Sequence, residues 1–185
     1  MPFDHFDLIA PIYARARYHA LEKMREVAAL PARGRLLDVG GGTGRVASAL
    51  RNLVDEVVIT DVSMGMLLQA PRSTLEPAGC ASEFLPFPND SFERVILVDA
   101  LHHVADQAAT AAEMLRVLKP GGLLIIEEPD IRTFAVKLIA LVEKLLLMRS
   151  HFLSPDRIKS LFPNSNAKII AEDTSAWIVV EKLKS

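Results

Sequence analysis

Cysteine is nearly absent from this 185-residue chain, which contains Cys80 alone, and aromatic residues make up only 6%. One cysteine cannot form an internal disulfide or supply a cysteine cluster for zinc, so we expect no disulfide framework and no metal site. Neither charge sign is in surplus, since 21 Lys and Arg stand against 23 Asp and Glu. Without a basic surplus the chain has little attraction to phosphate backbones, and nucleic acid is not an expected partner.

The sequence also lacks an N-terminal signal pattern and a long uninterrupted apolar run. Residues 1–5 are acidic and do not show the charged-then-apolar order of a secretory signal. The apolar stretch 134–148 is interrupted by charge and is shorter than the about 20 apolar residues that span a bilayer. These absences predict a cytoplasmic protein without a transmembrane segment. The length and a charged fraction of 24% predict a single globular domain over residues 1–185.

Short β-branched runs alternate with helical segments along the chain. Strands are predicted at residues 35–39, 56–60, 94–98, 123–127, 168–171 and 176–181. Helices are predicted at residues 14–28, 45–53, 64–69, 107–118, 131–148 and 155–162. Such alternation predicts an α/β fold with a mostly parallel sheet covered on both faces. The last two strands are separated by only a few residues, so they should form an antiparallel hairpin.

A glycine-rich loop follows the first predicted strand and precedes a helix. Glycine lets a ligand approach the backbone, and the helix start offers free N–H groups to an anion. The spacing of Gly40, Gly42 and Gly44 is G-x-G-x-G, which differs from the dinucleotide fingerprint G-x-G-x-x-G. Asp61 ends the second strand about 20 residues after Gly40, where a carboxylate can accept the hydroxyls of a ribose. The loop and Asp61 together predict a nucleoside-containing cofactor.

Five stretches occur in a characteristic order: the loop from Asp38 to Gly44, the segment Thr60-Asp61-Val62-Ser63, and the segments Leu85 to Phe92, Val98 to Val104 and Leu115 to Gly122. Together they resemble the class I S-adenosylmethionine-dependent methyltransferases, nearest to the ubiquinone/menaquinone-biosynthesis type. The resemblance covers residues 6–128 well and the remainder loosely. It implies a Rossmann-like, doubly wound sheet of about seven strands and methyl transfer from S-adenosylmethionine to a small apolar or aromatic acceptor.

The resemblance also implies which residues bind the cofactor. Four glycines are expected to line its methionine and ribose portion: Gly40, Gly41, Gly42 and Gly44. Asp38 is expected to contact the methionine ammonium through water, and Asp61 to hold the ribose hydroxyls. The remaining expected contacts are with the adenine and the sulfonium end, from Val62 and Met66 and from Asp99 and Leu101 respectively.

The sequence departs from the family pattern at the expected adenine site. Similar proteins carry Asp four residues before the Leu-Pro-Phe motif, where this chain has Ala81. Adenine recognition is therefore expected to rest on backbone groups and on Ser82 or Glu83. The segment from Leu67 to Ala81 also contains two prolines and a glycine, which predicts a truncated helix there.

The acceptor side is predicted from three segments. His102 and His103 follow the strand at 94–98, and histidine suits a general base because it titrates near neutral pH. Residues 1–30 are expected to form an N-terminal helical lid over the pocket. Tyr13, Tyr18 and His103 are the candidate substrate contacts. An alternative for Tyr18 is the buried stripe of an ordinary helix.

The third segment, residues 131–162, is expected to be helical and to cover the substrate side. Its apolar part at 131–148 allows three interpretations: a helix buried within the fold, a lid over a lipidic or quinone-like acceptor, or a homodimer face.

Two other functions remain open at this point. A binding or regulatory protein that holds S-adenosylmethionine without methyl transfer would carry the same glycine loop. An NAD-dependent oxidoreductase is disfavoured by the glycine spacing and by the absence of a recognisable Tyr-Lys arrangement.

Overall fold

The computed structural model describes residues 18–145 and 150–184, with residues 143–145 described by their backbone alone. Tyr13 and the first part of the expected lid lie outside these residues. The strands are β1 Arg35–Val39, β2 Glu56–Asp61, β3 Glu76–Gly79, β4 Phe92–Val98, β5 Leu118–Pro129, β6 Asn166–Glu172 and β7 Ser175–Glu181. The α-helices are α1 Leu21–Val27, α2 Arg45–Leu50, α3 Met64–Leu67, α4 Gln107–Val117, α5 Phe134–Leu145 and α6 Pro155–Ser160, and a 3₁₀ turn spans Leu101–His103.

The strands form one seven-stranded sheet in the order β3-β2-β1-β4-β5-β7-β6. Neighbours from β3 to β5 run parallel, whereas β7 runs antiparallel to both β5 and β6. The predicted fold class, a mostly parallel doubly wound sheet with an antiparallel C-terminal hairpin, is confirmed.

The central strands bury both faces of the sheet. Leu37 and Leu97 pack in one apolar cluster with residues of α4 and α6. Leu36 and Ile96 pack in a second cluster with residues of α1 and α2. Because successive residues of a strand point to opposite faces, these adjacent apolar residues serve two cores at once. Continuous apolar runs in the sequence are the consequence.

The strand β3 was not predicted, because its sequence Glu-Pro-Ala-Gly has the composition of a turn. It lies at the edge of the sheet and pairs only with β2. Proline is tolerated at an edge because one side of the strand makes no ladder hydrogen bonds.

A second difference concerns the start of β5. Its register against β4 moves from Phe92–Leu118 to Arg94–Leu123, so the predicted helix-ending sequence Lys-Pro-Gly-Gly forms an irregular entry into the strand.

The helix α5 does not bury its apolar residues on two sides. Phe134 is 83% exposed, and Leu138 and Leu141 are each more than half exposed, whereas Val136 is buried. Within the residues that the structure describes, α5 is therefore not enclosed on two sides. Among the described residues, no helix is both long enough and apolar enough to cross a membrane.

The turn between β1 and α2 depends on Gly44. Its φ is +73°, a left-handed conformation that glycine adopts without steric cost. A Cβ at this position would lie 2.6 Å from Cδ1 of Leu75, which is buried in the core. The turn therefore requires glycine for its conformation and for its packing.

We expect the substitution Gly44→Ala to lower the free energy of unfolding by about 2–4 kcal/mol, because it combines left-handed strain with overpacking. Urea unfolding followed by circular dichroism measures the loss. Gly42→Ala is the matched control, since Gly42 also has a positive φ but its Cβ would approach no atom closer than 3.8 Å. Equal losses in the two variants would contradict the role assigned to Leu75.

Candidate active site

The main cavity lies where the strand order reverses. β2 and β3 follow β1 outward on one side, while β4 and β5 lie on the other. In open α/β sheets, ligands bind outside the carboxyl ends of the strands at such a point. A cavity of about 400 Å³ opens there, walled by the ends of β1, β2 and β4 and by the loop after β3.

Asp38 contributes a buried carboxyl group to the wall of this cavity. Its Oδ2 has no hydrogen-bond partner among the described residues. Burial raises the pKa of Asp38 to about 7, although the backbone N–H of Ala47 and the charge of Arg45 oppose the shift. A buried carboxylate without its full set of partners is costly, so this oxygen suits a ligand that brings a positive charge or a donor.

Glycine at position 41 makes room for that carboxyl group. A Cβ on residue 41 would lie 2.8 Å from Cγ of Asp38. The N–H of Gly41 donates to the carbonyl of Thr60 at 2.9 Å, which joins the loop to β2. The loop therefore exposes backbone to the cavity where any larger residue would displace Asp38.

Asp61 fixes the two loops that follow β1 and β2. Its Oδ2 accepts the N–H of Gly42 at 2.9 Å, and its Oδ1 accepts the N–H of Ser63 at 2.8 Å. The hydroxyl of Ser63 in turn accepts the N–H of Met66 at 3.1 Å and caps α3. Val62 and Met66 line the cavity beside this carboxylate.

Ala81, Ser82 and Glu83 also line the cavity, but the side chains of the last two are engaged within the protein. Oε1 of Glu83 accepts the N–H groups of Ala105 and Asp106 at 2.9 and 3.0 Å. Oγ of Ser82 lies 3.1 Å from the hydroxyl of Thr110 in α4. Both residues hold the loop after β3 against the start of α4.

The two histidines stand side by side on the opposite wall of the cavity. Their ring centroids are 4.0 Å apart, and the His102 ring also stacks on Phe152 at 4.3 Å. Nδ1 of His102 lies 2.6 Å from Oε2 of Glu128, with both side chains buried. Burial, and secondly the neighbouring His102, lower the pKa of His103 to about 4, so His103 is neutral at physiological pH.

Tyr18 lies outside the wall of this cavity. Its hydroxyl donates to Oε2 of Glu127 at 2.6 Å, and the Arg45 guanidinium lies 5.5 Å from its ring centroid. Burial and the Glu127 carboxylate raise the pKa of Tyr18, and burial also raises the pKa of Glu127. Tyr18 thus fastens the chain before α1 to the end of β5.

Most of the predicted site residues meet around the cavity: Asp38, Gly40, Gly41, Gly42, Asp61, Val62, Met66, Ser82, Glu83, Asp99, His102 and His103. Gly44 is not part of its wall, because it packs against Leu75 below the loop. Leu101 is not part of it either, since its side chain is buried in the core.

The sequence analysis missed Glu128, which was assigned no role. The signal in the sequence was a second glutamate directly after Glu127, which ends the otherwise apolar predicted strand 123–127. No group of three His, Cys, Asp or Glu side chains that could hold a metal occurs in the part of the chain that the structure describes.

Comparison with known proteins gives one family match and several similar proteins. A family model described as a methyltransferase domain matches residues 37–126. A ubiquinone/menaquinone biosynthesis C-methyltransferase UbiE from Coxiella burnetii is 38% identical over 51% of this chain and 42% of its own length. Residues 37–126 therefore match the methyltransferase domain family, and the chain is similar to class I S-adenosylmethionine-dependent methyltransferases of the UbiE type.

Two further matches concern a second curated relative and the fold. A demethylmenaquinone methyltransferase from Clavibacter sepedonicus is 32% identical over 82% of this chain and 62% of its own length. The YcgJ protein from Bacillus subtilis has a crystal structure that superposes with a TM-score of 0.77 at 20% identity, covering 90% of this chain and 99% of that one. This chain thus spans 42% of the length of the Coxiella burnetii relative and 62% of the length of the Clavibacter sepedonicus relative.

The residues of the cavity fit S-adenosylmethionine, the cofactor that this family and fold imply. The unpartnered Oδ2 of Asp38 matches an ammonium group, and the loop at Gly41 and Gly42 leaves space for a ligand against the backbone. Asp61 stands at the end of β2, and a carboxylate offers about four acceptor positions, so ribose hydroxyls can share it with the two N–H groups.

We expect cofactor binding to weaken as the pH falls from 7 to 6. The ammonium group favours ionised Asp38, so the raised pKa of about 7 in the free protein means that binding releases a proton below that pH. The ionised fraction falls about fivefold between pH 7 and 6, while an α-amino group stays protonated. Calorimetric titration with S-adenosylhomocysteine should show this change in Kd for the wild type. A pH-dependence retained in Asp38→Asn would assign the effect to another group.

Proposed function

We propose that this chain transfers the methyl group of S-adenosylmethionine to a small aromatic acceptor, with a reduced quinone-like ring as the favoured substrate. The observation that carries the proposal is the unpartnered carboxylate oxygen of Asp38 in the wall of the switch-point cavity. Asp38 and the glycine loop are assigned to the methionine portion, Asp61 to the ribose, and Val62 and Met66 to the adenine. When bound, the cofactor supplies an electrophilic methyl carbon and leaves as a neutral thioether.

The protein's part in the reaction is to orient the acceptor, exclude water and accept a proton. Asp99 lines the cavity at the end of β4, and His102 and His103 line it immediately after. One of these histidines is proposed to take the proton that the acceptor loses on methylation. Both are largely shielded from solvent, which favours a direct proton transfer over exchange with bulk water.

A quinone-like acceptor is supported by the named activities of the relatives and by the segment 131–162, which contains the apolar helix α5 and returns to the histidines. The relatives are a ubiquinone/menaquinone biosynthesis C-methyltransferase and a demethylmenaquinone methyltransferase. The segment that contains α5 leaves the sheet after β5 and returns where the N–H of His151 donates to the carbonyl of His102 at 2.7 Å. We propose that residues 131–162 cover the substrate side of the cavity. The exposed apolar residues of α5 are proposed to contact a lipidic acceptor.

The N-terminal segment 1–30 is proposed to complete this cover. Among its described residues, Tyr18 is tied to Glu127 beside the carboxyl ends of the strands. A homodimer through α5 is the other interpretation of its exposed face, and the mass of the protein in solution distinguishes the two.

The proposed function predicts which cofactors bind to the protein and which acceptors it methylates. S-adenosylmethionine and S-adenosylhomocysteine should raise the melting temperature, while NAD should not, because the loop lacks the dinucleotide spacing. Labelled methyl transfer to anaerobic 1,4-naphthohydroquinone should exceed transfer to histamine, which serves as the amine control. Binding without turnover on any acceptor would favour a regulatory protein, and stabilisation by NAD alone would overturn the cofactor assignment.

The alanine at position 81 predicts a cofactor site that can be strengthened. We expect Ala81→Asp to lower the Kd for S-adenosylhomocysteine about tenfold, because it adds a charged acceptor for the adenine amino group. S-inosylhomocysteine, which has oxygen in place of that amino group, is the matched control and should show no gain. An unchanged Kd for S-adenosylhomocysteine would refute the role of position 81.

A further inference from the structure

Glu128 and His102 form a buried pair at the back of the acceptor site. Nδ1 of His102 lies 2.6 Å from Oε2 of Glu128, and each residue is 3% exposed. His102 also lines the main cavity, whereas Glu128 does not. The carboxylate therefore lies behind the cavity wall, with the His102 ring as its side-chain contact in that wall.

The other oxygen of Glu128 organises the loop that carries His102. Oε1 accepts the N–H groups of Ala100 and Leu101, both at 2.8 Å. A carboxylate can only accept hydrogen bonds, so Oε2 also acts as an acceptor toward His102. Nδ1 of His102 must then carry the hydrogen of the shared bond, and Nε2 carries the lone pair in that tautomer.

Packing holds the ring in this orientation. Phe152 stacks on it with an interplanar angle of 14° and a centroid distance of 4.3 Å, and the N–H of His151 donates to the carbonyl of His102. A ring fixed by a carboxylate at Nδ1 and by a stacked aromatic face cannot change its tautomer without breaking the buried bond.

The neighbouring His103 stands in a different electrostatic environment. Its Nδ1 lies 3.3 Å from the hydroxyl of Ser150, and its pKa is lowered to about 4. A ring with so low a proton affinity is a weaker base than one whose developing positive charge faces a buried carboxylate.

We propose that Glu128 is a positioning residue that holds His102 with Nδ1 protonated, so that Nε2 takes the proton of an acceptor hydroxyl or acidic carbon. This inference rests on the proposed methyl transfer and narrows the acceptor to compounds that must lose a proton to react. For a hydroquinone, His102 takes the hydroxyl proton as the ring carbon forms its bond to the methyl group and the carbon–sulfur bond breaks. The ring carbon then loses its proton while the oxygen regains one, so one proton is released in total.

The substitution Glu128→Gln tests the tautomer without removing the loop contacts. The amide oxygen can still accept the N–H groups of Ala100 and Leu101, but the amide nitrogen now donates to Nδ1 of His102. That bond places the ring hydrogen on Nε2, where it blocks proton acceptance. Glu113→Gln is the matched control, since Glu113 also accepts a backbone N–H, from Leu85 at 2.8 Å, and is not part of the cavity wall.

Two measurements decide the proposal. In ¹⁵N NMR of the cofactor-free protein, the hydrogen of His102 should lie on Nδ1 in the wild type and in Glu113→Gln, and on Nε2 in Glu128→Gln. With 1,4-naphthohydroquinone, Glu128→Gln should lower kcat about 100-fold or more while the Kd for S-adenosylhomocysteine stays within about twofold.

A wild-type ring protonated on Nε2, or a kcat within about threefold of the wild type in Glu128→Gln, would overturn the role of Glu128. The NMR result does not depend on turnover. If the tautomer reverses as expected but the wild type methylates no acceptor, the positioning contact between Glu128 and His102 stands. The proposed function and the base role of His102 then both fail.

Discussion

The buried carboxyl group of Asp38 is the constraint on which the site depends. It lies on a central strand between β2 and β4, where burial raises its pKa and Oδ2 has no hydrogen-bond partner among the described residues. The residue at position 41 must be glycine to avoid it, and the loop bonded to Thr60 and Asp61 follows from that close approach. A buried oxygen without a partner is costly, and the proposed cationic ligand would supply the missing interaction.

The opposite wall of the cavity depends on a second buried carboxylate, Glu128, whose two oxygens both have hydrogen-bond partners. Oε1 is engaged by two backbone N–H groups and Oε2 by an imidazole, and Glu128 is not part of the cavity wall. One carboxylate is therefore proposed to meet a ligand and the other holds a side chain, with the cavity between them. The difference comes from the number of donors that the surrounding backbone presents to each group.

The residues that match the methyltransferase domain, 37–126, include most of the described sheet, so the proposed acceptor recognition falls on the segments that leave the sheet. The segment between β5 and β6 departs at Asp130, which is held by Arg132 at 2.7 Å, and returns beside the histidines. Between those points α5 presents apolar side chains to solvent, an arrangement that costs free energy unless a partner covers them. This explains why the cofactor half of the site was easier to infer from the sequence than the acceptor half.

The sequence by itself determined that the sheet is mostly parallel. It also determined where the glycine loop, Asp38, Asp61 and the two histidines lie relative to the strands. These features depend on local patterns, because a strand that ends in glycines and precedes a helix can form only a few turns. Tertiary structure alone decided that β3 is a strand at the sheet edge, that Glu83 serves the α4 loop, and that Leu101 belongs to the core. It also decided the pairing of His102 with Glu128, which are 26 residues apart and meet only because β4 and β5 are parallel neighbours. Contacts between strand ends follow from the sheet order, and that order is fixed by the packing of the whole core.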